Sequence, residues 1–215
     1  MAKFLRLVAW LSVIIAASIG VLRLTAIRWW QLPLNDPYFE ASVAPTLRGG
    51  DWVILWRATA PGYGDLVLCP EPKTNRPVIG RIVGEAGDHL KIEGSTVTVN
   101  NSPMRLDDDN DCAKFRVRDP ASSSGDEVEQ SCSREIVGPH THPRGNTLQA
   151  RGEPQPSEFD VPTGQVFLVS DNRALPWDSR EFGPVDRSTC AETVVFRLVS
   201  KDGFFDVPNR LTLIR

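Results

Sequence analysis

The stretch from Leu7 to Leu22 carries no charge, and it constrains this chain more than any other part. Its centre runs Val8-Ala9-Trp10-Leu11-Ser12-Val13-Ile14-Ile15-Ala16-Ala17-Ser18-Ile19-Gly20-Val21. Lys3 and Arg6 precede it, and Arg23, Arg28, Trp29 and Trp30 follow. A bilayer core takes about 20 apolar residues; Phe4 and Leu5 lengthen the run, and terminal arginines snorkel. Residues 1–28 therefore read as a membrane anchor, a single transmembrane helix with the tryptophan pair in an interfacial belt. Two other readings stay open. One is a cleaved signal peptide with Ala16-Ala17-Ser18 at its site; the other is a buried helix of a soluble protein. Basic residues stand on both sides, so the charge rule gives only a weak vote for an inside N-terminus.

Residues 29–215 have the make-up of a folded domain. The chain is 41% hydrophobic and 24% charged, which excludes general disorder. A net charge of −3 argues against a nucleic-acid binder. With 17 prolines, 16 glycines and little helical periodicity, strands and turns are expected, giving a mainly β, antiparallel fold. Strand-like runs are Asp51–Trp56, Asp65–Cys69, Val78–Val83, Val166–Val169, Thr193–Val199 and Leu211–Ile214. His89–Ile92 and Thr96–Val99 predict a hairpin with Glu93-Gly94-Ser95 as its turn. Gln31 to Phe39, with two prolines, reads as a linker. Residues from about 105 to 160 are polar, acidic and turn-rich. They read as a polar insertion between two parts of one β-core.

Cys69, Cys112, Cys132 and Cys190 show no C-x-x-C spacing and no histidine at ligand distance, so no metal site or other cofactor is expected. Cys112 and Cys132 bracket a polar segment. A disulfide there and two unpaired thiols are both open. Cys69 and Cys190 lie in apolar runs and read as small core residues. His140 and His142, in a Pro/Gly-rich stretch, read as surface-loop histidines.

Four segments then fall in a recognisable order. Ser42-Val43-Ala44-Pro45-Thr46-Leu47-Arg48-Gly49-Gly50-Asp51 is close to "SMxPTLxxGD", and Gly64-Asp65-Leu66-Val67 to "xDxVxF". Val78-Ile79-Gly80-Arg81-Ile82-Val83-Gly84-Glu85-Ala86-Gly87-Asp88 is similar to "YIKRVVGLPGD". Ser170 to Val185, reading SDNRALPWDSREFGPV, resembles "GDNRxxSxDSRxxGxV". Together they resemble the type I signal peptidase family, membrane-bound serine proteases that remove signal peptides. The resemblance covers about residues 30 to 215 and, with the anchor, the whole chain. It implies an extracytoplasmic signal-peptidase-like β domain on a single-pass anchor in a bacterial inner or plasma membrane. It also implies a preprotein or signal-peptide substrate, with the lipid bilayer as the other partner. A shallow apolar groove past Ser42 would hold an extended peptide by strand addition. Trp29, Trp30 and Trp52 are candidates for membrane contact, with a core role equally open for Trp52.

The family runs a Ser/Lys dyad. A serine hydroxyl needs an adjacent base, and a lysine serves once burial has lowered its pKa. By the resemblance, Ser42 stands at the nucleophile position. The lysine position is Gly80, which has no side chain. The serine that supports the lysine falls at Pro176. Two residues before the nucleophile, where a serine often helps the oxyanion hole, stands Glu40. The frame residues Arg81, Asp171, Asp178 and Arg180 match, and the resemblance gives the last two a salt bridge beside the site. On an extended strand Glu40 and Ser42 share a face, so Glu40 is one candidate substitute base; Lys73, Lys91 and His89 are others. Two functions stay open: a signal peptidase I-like serine endopeptidase with a substitute base, and a catalytically inactive homologue that binds signal peptides or partner proteins.

Overall fold

The computed structural model describes residues 2–108, 112–122, 124–147 and 156–214. Helix α1 (Ala2–Thr25) leads directly into strand β1 (Ile27–Gln31); after helix α2 (Pro37–Val43) come β2 (Trp52–Trp56), β3 (Leu66–Pro70) and β4 (Pro77–Gly84). A hairpin of β5 (His89–Glu93) and β6 (Thr96–Val99) precedes the short β7 (Ser102–Pro103) and β8 (Arg105–Leu106). Then come β9 (Phe115–Arg118), β10 (Glu127–Val137), β11 (His140–Thr147), β12 (Ser157–Asp160) and β13 (Gln165–Val169). The chain closes with the one-turn α3 (Ser179–Phe182), β14 (Val185–Asp186), β15 (Glu192–Val199) and β16 (Thr212–Leu213).

The fold is mainly β and antiparallel. The main sheet has the order β1-β2-β15-β3-β4-β13-β14, with β16 beside β15. A second sheet, β12-β5-β6-β7, is built on the expected hairpin, whose Glu93 faces Thr96 across a two-residue turn. A third sheet holds β11-β10-β8 with β9 also on β10. This third sheet draws its strands from between Arg105 and Thr147, within the stretch read from the sequence as a polar insertion. The later residues of that stretch rejoin the hairpin as β12.

Helix α1 is unburied. Its stretch Arg6–Arg23 has a mean hydropathy of 1.7 and none of it is covered by the rest of the chain. A buried soluble helix is therefore excluded. Its length, about 36 Å at 1.5 Å per residue, is enough to cross a hydrocarbon core. The expected linker from Gln31 to Phe39 is not one. Gln31 ends β1, and Asp36 caps α2, its carboxylate accepting from Phe39 N at 3.1 Å. Pro37 fits the first helical turn, where no N–H is needed, and Pro45 stops the helix after Ala44.

Strand β4 is apolar on both sides of Arg81 because both its faces are covered; Val78 to Gly84 are all buried. Ile79 packs with Phe39, Leu47, Leu55 and Leu66, while Ile82 packs with Val67, Val166 and Leu168. Trp30 meets Phe39 edge-on at 6.1 Å and so belongs with the core, whereas Trp29 and Trp52 are exposed. Cys69 and Cys190 are buried, as small core residues would be, yet they form a disulfide. The pairing of β15 with β3 places them side by side, a proximity that a sequence separation of 121 conceals. Cys112 and Cys132 form the second disulfide.

Candidate active site

The site grows from the end of α2 and the segment after β13. Asn172 ties the two together. Its backbone N–H donates to the Ser42 carbonyl at 3.1 Å, and its side-chain amide donates to the Ala41 carbonyl at 2.8 Å. Its Oδ1 accepts from the N–H groups of Ala174 and Leu175, folding the signature into a tight turn. Trp177 then packs against Tyr38 at the start of α2, with ring centroids 5.4 Å apart.

Ser42 is 1% exposed, and its hydroxyl donates to the Phe39 carbonyl at 2.9 Å, inside its own helical turn. Ala41, Val43 and Ala44 are buried with it, so the Ser42 side chain is covered from solvent. The extended strand expected for Glu40 to Ser42 is a helix instead. Two residues on a helix are about 200° apart, so the side chains diverge. The Glu40 carboxylate lies 3.8 Å from Lys201 Nζ and borders Gly49.

Gly80 lies in β4, paired with Val67. A Cβ built there would sit 3.1 Å from the Leu168 Cβ and 3.4 Å from the Val169 carbonyl oxygen. The backbones are packed closely enough that a side chain at this position meets another strand, not an open site. Of the other candidate bases, His89 Nδ1 is 2.8 Å from Asp160, and Lys91 Nζ is 2.7 Å from Glu93. Lys73 is exposed in the β3–β4 turn. Pro176 occupies the loop before α3 and offers no donor.

The frame residues are all brought together. Arg81 Nε and Nη2 donate to the two oxygens of Asp171 at 2.7 and 3.2 Å, and Thr46 donates to the same carboxylate. Burial, the largest single influence, would raise the Asp171 pKa, but the Arg81 guanidinium, His142 and the hydrogen bonds from Arg81 and Thr46 together outweigh it; the result is below the usual carboxylate range. Asp178 caps α3 and receives Ser170 N at 2.6 Å, together with a two-pronged Arg180 at 2.9 and 2.7 Å. Burial is the largest influence here too and opposes ionisation, but the Arg180 guanidinium with the N–H groups of Ser170 and Arg180 together outweigh it, so this carboxyl also stays low. Arg180 Nη1 then donates to the Arg173 carbonyl at 3.1 Å, locking the turn from below.

Three further buried groups come from the insertion. Glu135 of β10 accepts from Arg144 at 3.1 Å and from Arg173. His142 of β11 is fully buried, correcting its reading as a surface-loop residue. Its Nε2 lies 3.4 Å from Asp171 and 3.6 Å from Glu135. Burial pushes its pKa well below 6.5; Asp171 pulls the other way, while Arg81, Arg173 and Arg144 reinforce the fall. Burial likewise lowers Arg173 to about 10. His140, by contrast, is half-buried and 3.1 Å from Asp65. The signal that marks His142 is its period-two spacing with Arg144 on one strand face, visible only once 140–147 is known to be a strand. Among the described residues, no group of three or more His, Cys, Asp or Glu is placed to hold a metal.

Comparison with known proteins agrees with the motif order. The family model for signal peptidase, peptidase S26, matches residues 5–199. Signal peptidase I U of Bacillus subtilis is 25% identical over 145 residues, and signal peptidase I of Bacillus licheniformis is 25% identical over 196. The chain spans 61% of the length of the first relative and 86% of the second. A crystal structure of a signal peptidase I from Enterococcus faecalis aligns over 63% of this chain and 97% of that one, with 20% identity and a TM-score of 0.36. With a family model spanning nearly all of its β-core, the chain belongs to the signal peptidase family, peptidase S26.

Proposed function

We propose that this chain is a membrane-anchored, signal peptidase I-type protein that engages the signal peptides of exported preproteins at the membrane surface, and that it binds them without cleaving. Helix α1 is the anchor, and the β domain lies on the extracytoplasmic side, where two disulfides fit an oxidising compartment. One observation carries the non-cleaving part. The Ser42 hydroxyl is spent on the Phe39 carbonyl, while the position that would supply its base is Gly80, packed against Leu168. A serine without a base within hydrogen-bond reach is a poor nucleophile. The frame of Arg81–Asp171 and Asp178–Arg180 is intact, so the architecture outlasts the dyad.

The endopeptidase reading is the second one, favoured by the retention of Ser42 itself in its motif position above the Thr46–Asp171–Arg81 frame. One experiment separates the two. The purified chain in detergent is given a preprotein carrying an Ala-x-Ala site. Binding without processing, unaltered by Ser42→Ala, is expected. Processing that Ser42→Ala abolishes would establish the endopeptidase, and neither binding nor processing would remove both readings.

A further inference from the structure

The third sheet does more than decorate the β-core. Its strand β9 lies on α2, where Val117 packs against Ala41, Ala44 and Leu175, with Phe115 and Val128 beside them. The same sheet joins the signature segment through backbone bonds. Gly145 N–H donates to the Asp171 carbonyl at 2.9 Å, and Arg173 N–H donates to the Gly145 carbonyl at 2.8 Å. At its far end the approach is close enough to exclude a side chain. A Cβ at Gly64, whose φ is +89°, would lie 2.4 Å from the Val137 carbonyl oxygen. Between these contacts sits the buried ionic group, with Glu135, His142 and Arg144 from the sheet against Asp171 and Arg173 from the core. The Cys112–Cys132 disulfide holds the approach to β9 onto β10.

The residues covered are those that surround Ser42: its own helical turn and the turn of the signature. The inner face of the cover is mixed: Val117 and Val137 make its apolar contacts, and Glu135, His142 and Arg144 form a buried ionic part. A polar, ion-paired contact of this kind opens at lower cost than an apolar core, because each separated group regains water.

We infer that the β9–β10–β11 sheet is an autoinhibitory cover: it closes over the Ser42 turn, is latched by the Glu135–Arg173 ion pair, and lifts as a unit to admit an extended peptide. The last clause rests on the peptide-engaging reading above; the cover itself does not.

Amide hydrogen exchange on the full chain in detergent tests it. In the wild type, residues 39–47 and 170–175 are expected to exchange together with 127–147, and faster than β4 and β13. Glu135→Gln removes one partner of a buried ion pair and is expected to speed all three regions by about a hundredfold while leaving 79–84 and 165–169 unchanged. Val117→Ala, which thins the apolar part of the contact without touching charge, is expected to do the same by about tenfold. Uniform acceleration over the whole β-core would overturn the cover, as would acceleration of 127–147 alone with residues 39–47 still protected. A synthetic peptide bearing Ala-x-Ala is then titrated into wild type and Glu135→Gln. Tighter binding to the variant supports peptide admission. Unchanged binding, with the exchange result intact, counts against the peptide reading and not against the cover.

Discussion

Replacing Gly80 by alanine tests whether β4 has room for a side chain at this position. The new Cβ would lie 3.1 Å from the Leu168 Cβ and 3.4 Å from the Val169 carbonyl oxygen, and Leu168 is itself buried. Both groups are fixed to strand backbones, so relief requires β4 and β13 to part by a few tenths of an ångström and not a rotamer change. Overpacking of that kind costs about 1–3 kcal/mol. In a domain of this size each kcal/mol lowers Tm by about 2–4 °C, giving a fall of about 2–12 °C. Circular dichroism melting in detergent measures it. Gly80→Lys adds the burial of an amine to the same clash, so it is expected to melt lower still and to restore no cleavage of an Ala-x-Ala preprotein. Gly80→Lys with Pro176→Ser supplies the base and its support but leaves the contact with Leu168 in place. If Gly80→Ala left Tm unchanged, or Gly80→Lys alone restored cleavage at wild-type stability, the packing account of Gly80 would be refuted.

Asp178→Ala deprives Ser170 N–H and the Arg180 guanidinium of their acceptor at once and is expected to cost about 3–5 kcal/mol, read from denaturant unfolding, with Asp178→Asn milder. Stability is expected to fall with acidity through His142. Its folded pKa lies below 6.5, so the unfolded chain takes up the proton first; stability is complete above about pH 6.5 and declines by up to about 1.4 kcal/mol per pH unit below it. His142→Gln should flatten that slope between about pH 6.5 and 4.5, above the range in which Asp171 and Asp178 lose their contribution; an unaltered slope would show that His142 is not its source. Replacing Cys69 and Cys190 together by alanine opens a loop of 121 residues and is expected to cost about 2–5 kcal/mol in chemical denaturation, visible as a shifted midpoint.

Most of the main sheet was legible because its strands are largely apolar runs bounded by Gly and Pro, though β1 and β14 were missed; in the second sheet the β5–β6 hairpin was legible from its short turn. The frame around Arg81, Asp171, Asp178 and Arg180 was legible from four motifs in order. The conformation of Glu40 to Ser42 was not. Seven residues carry too little periodicity to separate a helix from a strand, and it is the Asp36 cap with Pro37 that decides it. The insertion hid for another reason. Strands β10 and β11 do alternate, but most of the buried positions are polar or small (Gln130, Cys132, Glu135, His142, Arg144 and Gly145, beside the apolar Val137), so the hydrophobic pattern is too weak to record which side faces in. Glu135 finds part of its compensation in Arg173, 38 residues on, and such pairing leaves no local trace. Cys69 and Cys190 were correctly placed in the core, yet their bond depends on strand order, which one-dimensional pattern does not encode.

The junction between α1 and β1 has a mechanical consequence. Ala26 alone separates helix from strand, and it is pinned on both sides, donating to Leu22 O and accepting from Arg57 N. The Arg57 guanidinium also reaches the carbonyls of Arg23 and Ile27, and Arg23 stacks over Trp29 at 4.0 Å. These bonds restrain the angle between the helix axis and the edge of the main sheet. If α1 spans a bilayer, that angle sets the tilt and height of the β domain above the lipid. On the peptide-binding reading proposed above, it also sets the level at which a peptide would meet the domain.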